Sequence, residues 1–202
     1  MDDVIIQDLL KVQNQFLTSD NAKSIPNRIQ SLKRLKATIK SHEQQIIDAI
    51  YKDFQKPEFE VLTTELFVVY KELNLFIKNL KAWSKPKSVS SAWLNFPSSD
   101  KIYRVPWGKV LIIAPWNYPF QLAITPLIGA VASGNTVVLK PSEHAPHTSD
   151  ILEKIIKEVF EAQQAKVMQG AVDMAKMLLN QKWDYVFFTG SVPVGRIVSQ
   201  QI

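Results

Sequence analysis

Apolar residues recur at helical intervals through the first 83 positions, then give way after residue 105 to short β-branched runs. Val4, Ile5, Leu9, Val12, Phe16 and Leu17 predict a helix over residues 2–18. A polar break follows at 18–23. Ser24-Ile25-Pro26 then reads as a helix start, since proline is tolerated in a first turn. From there Ile29, Leu32, Leu35, Ile39, Ile46, Ile47, Ile50 and Phe54 form one stripe opposite Lys33, Arg34, Lys36 and Lys40, predicting one long helix that ends at Phe54-Gln55-Lys56-Pro57. Leu62, Leu66, Val69, Leu73, Phe76, Ile77, Leu80 and Trp83 predict a third helix over 57–83. The two long helices are expected to form an antiparallel pair that packs against a sheet.

Residues 85–100 are rich in Ser and Pro and read as a connection. The runs 92–96 and 101–105 predict a hairpin around Pro97-Ser98-Ser99-Asp100, projecting with unpaired edges. Beyond it strands alternate with helices. Strands are predicted at 109–114, 136–140, 165–168 and 184–189, and helices at 120–132, 148–162, 173–180 and from Pro193 onward. This alternation predicts an α/β fold, with a parallel, Rossmann-like sheet covered by helices on both faces. No repeat period of solenoid length is present. The expected division is a helical layer over 1–84, a linker and hairpin over 85–105, and a parallel-sheet portion over 106–202.

Composition narrows the chemistry. The 202 residues are 46% hydrophobic and 21% charged, as in an ordinary globular chain. The net charge of +5 is spread over amphipathic helices, so no nucleic-acid partner is expected. No apolar stretch approaches bilayer length and the N-terminus carries no signal pattern, so the expectation is a cytoplasmic protein without a membrane partner. The absence of cysteine removes disulfides, thiolate metal sites and thiol nucleophiles from this chain. His144 and His147 straddle Pro146 in a polar loop and read as solvated, so no metal site is expected.

Three predicted strand ends carry polar residues, and ligands of α/β sheets bind at such ends. In the first, Pro115 and Pro119 stiffen a turn containing Trp116, Asn117 and Tyr118. Asn117 there either caps the next helix or presents its amide to developing negative charge. In the second, Lys140-Pro141-Ser142-Glu143 puts a cation and a carboxylate on one loop. It is either an incidental ion pair or a grip on ribose hydroxyls. In the third, Phe188-Thr189-Gly190-Ser191 leads into a helix whose free N–H groups suit phosphate. Its Gly-x-x-x-x-Gly spacing is a weak signal by itself and lacks the Lys-Ser/Thr of a Walker loop, which argues against a nucleotide hydrolase.

Taken in order, Gly108-x-Val110-x-x-Ile113-Ala114, the 115–120 turn, Lys140-Pro141-Ser142-Glu143 and the 187–195 turn resemble the aldehyde dehydrogenase superfamily, most closely its class 3 branch. The resemblance implies an oxyanion-hole role for Asn117 and a substrate-tunnel position for Tyr118. It implies cofactor contacts at Ile113, Pro115 and Trp116, and ribose contacts at Lys140 and Glu143, with NAD or NADP both open. It places Thr189, Gly190, Ser191 and Val194 at the pyrophosphate and Gly170 near the adenine, with Ala171 a minor departure. It further implies that the hairpin joins subunits, as a homodimer in the full-length form. The family's cysteine nucleophile, its Glu-Leu-Gly-Gly base and its nicotinamide-ribose Glu do not occur here. The expectation is therefore the N-terminal portion of an NAD(P)-dependent aldehyde dehydrogenase, unable to turn over an aldehyde alone. The alternative is a non-catalytic nucleotide-binding or interaction module of the same fold.

Overall fold

The computed structural model describes residues 2–201. Helix α1 (Asp2–Thr18) is followed by the single turn α2 (Asp20–Lys23), which the Ser19 hydroxyl caps at the Ala22 amide. Ser24 caps α3 (Ile25–Ser41) by accepting from the Asn27 amide at 3.3 Å, with Pro26 in the first turn. The single helix expected up to Phe54 is in fact two, because His42 leaves helical geometry between α3 and α4 (Glu43–Phe54). Thr38 O lies 2.9 Å from the His42 ring and also accepts the His42 backbone N–H. The apolar spacing runs through this break unchanged, so periodicity does not reveal it.

Helix α4 ends at Gln55, whose φ of 57° is left-handed, and Pro57 follows at once. Then come α5 (Glu58–Val61), a π-helical turn (Leu62–Leu66) and α6 (Phe67–Trp83).

The hairpin differs from expectation. Its strands are β1 (Lys87–Val89) and β2 (Asp100–Ile102), antiparallel with Lys87 opposite Ile102. The run expected as its first strand is a 3₁₀ turn at Trp93–Asn95, closed by the Phe96 amide on Trp93 O. That run is apolar but has no core face to lie on. Trp93, Leu94 and Phe96 stand 88%, 86% and 84% exposed.

Four parallel strands build the sheet: β3 (Lys109–Ile113), β4 (Thr136–Lys140), β5 (Ala165–Val167) and β6 (Tyr185–Phe188), in the spatial order β5-β4-β3-β6. Their helices are α7 (Gln121–Ser133), α8 (Pro146–Val159), α9 (Val172–Leu179) and α10 (Val192–Gln200). Gly134 closes α7 in a left-handed conformation, φ 91°, which a side chain would strain.

Alternation along the strands sorts the core into two layers. Val110, Ile112, Ala114, Val137 and Leu139 share a cluster with buried residues of α3, α4, α6, α7 and α8. Leu111, Ile113 and Val138 face the other way, onto Ile6, Leu9 and Leu10 of α1 and onto α9 and α10. Helix α1 thus lies on the opposite face from α3–α6. The fully buried Gln13 ties it there by donating from Nε2 to Val137 O at 3.2 Å. Among the described residues no helix is long and apolar enough to cross a membrane, and no group of His, Cys, Asp and Glu could hold a metal ion.

Candidate functional site

Central strand β3 brings the three polar strand ends to one edge of the sheet. Ile113 pairs with Lys140 on one side and with Phe188 on the other. Just beyond, the Ala114 amide donates to Lys140 O at 3.0 Å and the Thr189 amide to Ile113 O at 3.1 Å. The chain runs from β3 to β4 to β5 in one direction, then returns to place β6 on the far side of β3. The winding therefore reverses between β3 and β6, where open α/β sheets bind ligands. The turn carrying Asn117 and the one carrying Thr189, Gly190 and Ser191 flank that point.

The 115–120 turn is held from below. Lys56 Nζ donates to Asn117 O at 2.7 Å, lies 4.2 Å from the centre of the Tyr118 ring, and bonds Glu65 Oε1 at 3.1 Å. Glu65 is fully buried, and its Oε2 accepts the Phe120 and Gln121 amides at 2.9 and 3.2 Å. Glu65, not Asn117, therefore satisfies the free N–H groups that open α7. Among the described residues the exposed Asn117 side chain makes no hydrogen bond. Ile113 is buried, Pro115 half-buried, and the exposed Trp116 leans on Phe54 with ring centres 6.1 Å apart. Sequence reasoning missed Lys56 and Glu65. The available signal was an acid beside Leu66 within an otherwise apolar stripe.

At the end of β4, Lys140 is only 3% exposed and donates to Glu143 Oε2 at 2.6 Å. Burial acts to raise the Glu143 pKa. The hydrogen bond from Lys140, a backbone hydrogen bond and the charges of Lys140 and His144 outweigh it and hold the carboxyl below the usual range. Because the folded value is depressed, the stabilisation is present in full above the unfolded pKa of about 4.3 and is lost as pH falls through the lower, folded value. The stability advantage over Glu143→Gln is expected to shrink on acidification in thermal melts. An advantage that grows towards acid would contradict the pairing. A concavity of about 220 Å³ beside this pair is lined by Ser142, Glu143, Ser149, Gln169 and Gly170, so Gly170 and Glu143 share one wall. His144 and His147 are exposed.

At the end of β6, Ser191 occupies the position before α10 without capping it, so among the described residues the first amides of that helix have no side-chain partner. Gly190 is required by close approach, since a Cβ there would strike the Phe188 ring. Val194 is exposed in the first turn of α10. A larger concavity, about 870 Å³, lies at the opposite end of the sheet beside Asn135 and Pro106 and contains none of the strand-end site candidates.

This is a doubly wound α/β fold whose polar strand ends meet at its point of reversal, the class of protein that binds ligands at strand ends. The chain belongs to the aldehyde dehydrogenase family, whose model matches residues 13–202. It is 41% identical over 196 residues to 4,4'-diaponeurosporen-aldehyde dehydrogenase of Staphylococcus aureus, covering 97% of this chain and 43% of that protein. It is also 41% identical over 171 residues to aldehyde dehydrogenase family 3 member H1 of Arabidopsis thaliana, covering 85% of this chain and 35% of the relative. The substrate-bound structure of Staphylococcus aureus AldH superimposes with a TM-score of 0.94 at 40% identity, over 97% of this chain and 43% of that one. This chain thus spans less than half the length of these relatives, and it matches their N-terminal portion.

Proposed function

We propose that this chain is the cofactor-gripping portion of an NAD- or NADP-dependent aldehyde dehydrogenase and contributes the oxyanion donor of its active site. The observation that carries this reading is the free Asn117 amide, which stands on the same sheet edge as Lys140, Glu143 and the uncapped start of α10. The donors present suit a dinucleotide. Glu143 accepts from ribose hydroxyls and Lys140 donates to them. Thr189, Gly190, Ser191 and Val194 surround N–H groups that suit a pyrophosphate. Gly170 leaves room at the adenine end, and Ile113, Pro115 and Trp116 form the wall nearest Asn117. When bound, the cofactor supplies the hydride acceptor.

The reaction this implies is oxidation of an aldehyde to a carboxylic acid. Attack on the carbonyl by a cysteine outside this chain puts negative charge on the oxygen. Asn117 is placed to hold that charge, a contribution of roughly 3 kcal/mol per donor. Tyr118, beside it and packed on Lys56, offers an aromatic wall to the aldehyde. Calorimetric titration with NAD and NADP tests the cofactor reading. Binding is expected in the unmodified chain, weakened about 10- to 100-fold in Lys140→Ala, since hydrogen bonds from charged groups carry about 1.5–3 kcal/mol. No heat with either nucleotide would remove the reading.

The lack of any cysteine favours a second reading, a nucleotide-binding module without catalysis. It predicts nucleotide binding but no gain of turnover when a cysteine-bearing catalytic portion is supplied. The exposed Trp93, Leu94 and Phe96 on the β1–β2 hairpin support pairing of two copies in the longer protein. Light scattering on that longer protein is expected to give a dimer mass, reduced to monomer in Trp93→Ser/Phe96→Ser. A monomer before substitution would exclude this.

A further inference from the structure

We propose that Lys56 is a positioning residue for the oxyanion donor. It fixes the backbone from which the Asn117 side chain projects, and Glu65 holds it in place. The inference rests on the reading of Asn117 as an amide donor.

An ion pair serving stability alone needs only the two charges. Here the ammonium has three partners, and two of them belong to the turn: the carbonyl of Asn117 and the ring of Tyr118. The side chain of Lys56 is itself only 14% exposed and that of Glu65 fully buried, so their contact is shielded from solvent, where it is stronger. Its backbone is fixed on both sides, by Gln55 in the left-handed region at φ 57° and by Pro57. Both oxygens of Glu65 are engaged, one by Lys56 and the other by the two amides that open α7. It sits in a π-helical turn, an insertion that shifts the side chains of a helix out of regular phase. One buried carboxylate thereby aligns both ends of the turn. Asn117 needs this outside support because its side chain has no hydrogen-bond partner among the described residues.

The test is nuclear magnetic resonance on the ¹⁵N-labelled chain. In the unmodified protein the backbone amides of Asn117 and Tyr118 are expected to be as ordered as the sheet, with order parameters near 0.85, and the Lys56 ε-methylene protons shifted upfield by the Tyr118 ring. In Lys56→Met the two order parameters are expected to fall below about 0.6, with Val137 and Leu139 unchanged. Lys56→Arg, which retains charge and donors, is expected to recover part of the order. An unchanged turn in Lys56→Met overturns the proposal, and so does equal loosening of the sheet. If Lys56→Met does not fold, the unmodified protein decides. Upfield-shifted Lys56 protons that return to ordinary positions in Tyr118→Leu support the proposal, and their absence overturns it. No readout involves cofactor or turnover. A chain that passes this test without binding NAD or NADP sinks the cofactor reading alone.

Discussion

Replacing Glu65 with Leu is expected to destabilise the chain by about 3–5 kcal/mol, because it leaves one member of a buried ion pair uncompensated. For a chain of this size that is a fall in Tm of roughly 6–20 °C. Three losses coincide. Lys56 keeps its charge with little solvent to screen it, and the Phe120 and Gln121 amides lose their acceptor at the start of α7. Glu65→Gln is expected to cost less, because its carbonyl oxygen can still accept from the α7 amides. Calorimetric melts of the three proteins measure this directly. A Glu65→Leu melt within a degree of the parent would show that the buried pair contributes little. Were Lys56→Met/Glu65→Leu more stable than Glu65→Leu alone, the cost would be traced to the stranded cation.

The purified 202-residue chain is expected to produce no NADH or NADPH from a simple aldehyde, because it contains no cysteine to attack the carbonyl. Joined to a cysteine-bearing catalytic portion, the same residues are expected to support turnover. In that setting Asn117→Ala should lower kcat about 100- to 1,000-fold, the range for loss of one oxyanion donor. Cofactor reduction followed by absorbance separates the outcomes. Aldehyde-dependent reduction by the chain alone would place the nucleophile elsewhere than in a cysteine. A kcat unchanged in Asn117→Ala would return Asn117 to a structural role.

What could be read from the sequence was what local pattern determines. The strands at 109–113 and 136–140 are short β-branched runs between Gly, Pro and Asn, and they lie where the pattern puts them. Sites at strand ends inherit that legibility, because a loop that follows a strand must leave from its tip. Two local features were misread. His42 interrupts a helix without disturbing its apolar spacing, and the 92–96 run looked like a strand although no face was available to bury it. The support beneath Asn117 was hidden for a different reason. Lys56 reaches Asn117 across 61 positions, and Glu65 reaches Phe120 across 55. No periodicity links residues so far apart. The layer chosen by α1 was hidden likewise, since an amphipathic stripe does not say which face of a sheet it covers.

The placement of α1 has a consequence for the order of assembly. Its Ile6, Leu9 and Leu10 rest in a cluster completed by Leu178, Leu179 and Val198. The surface under α1 is therefore part made once β3 and β4 pair, through Leu111, Ile113 and Val138, and is complete only when α9 and α10 are added. The apolar stripe of α1 is fully covered only when both strands and the last two helices are in place. Leu178, Leu179 and Val198 thereby couple α1 to α9 and α10, so these three helices are expected to loosen together.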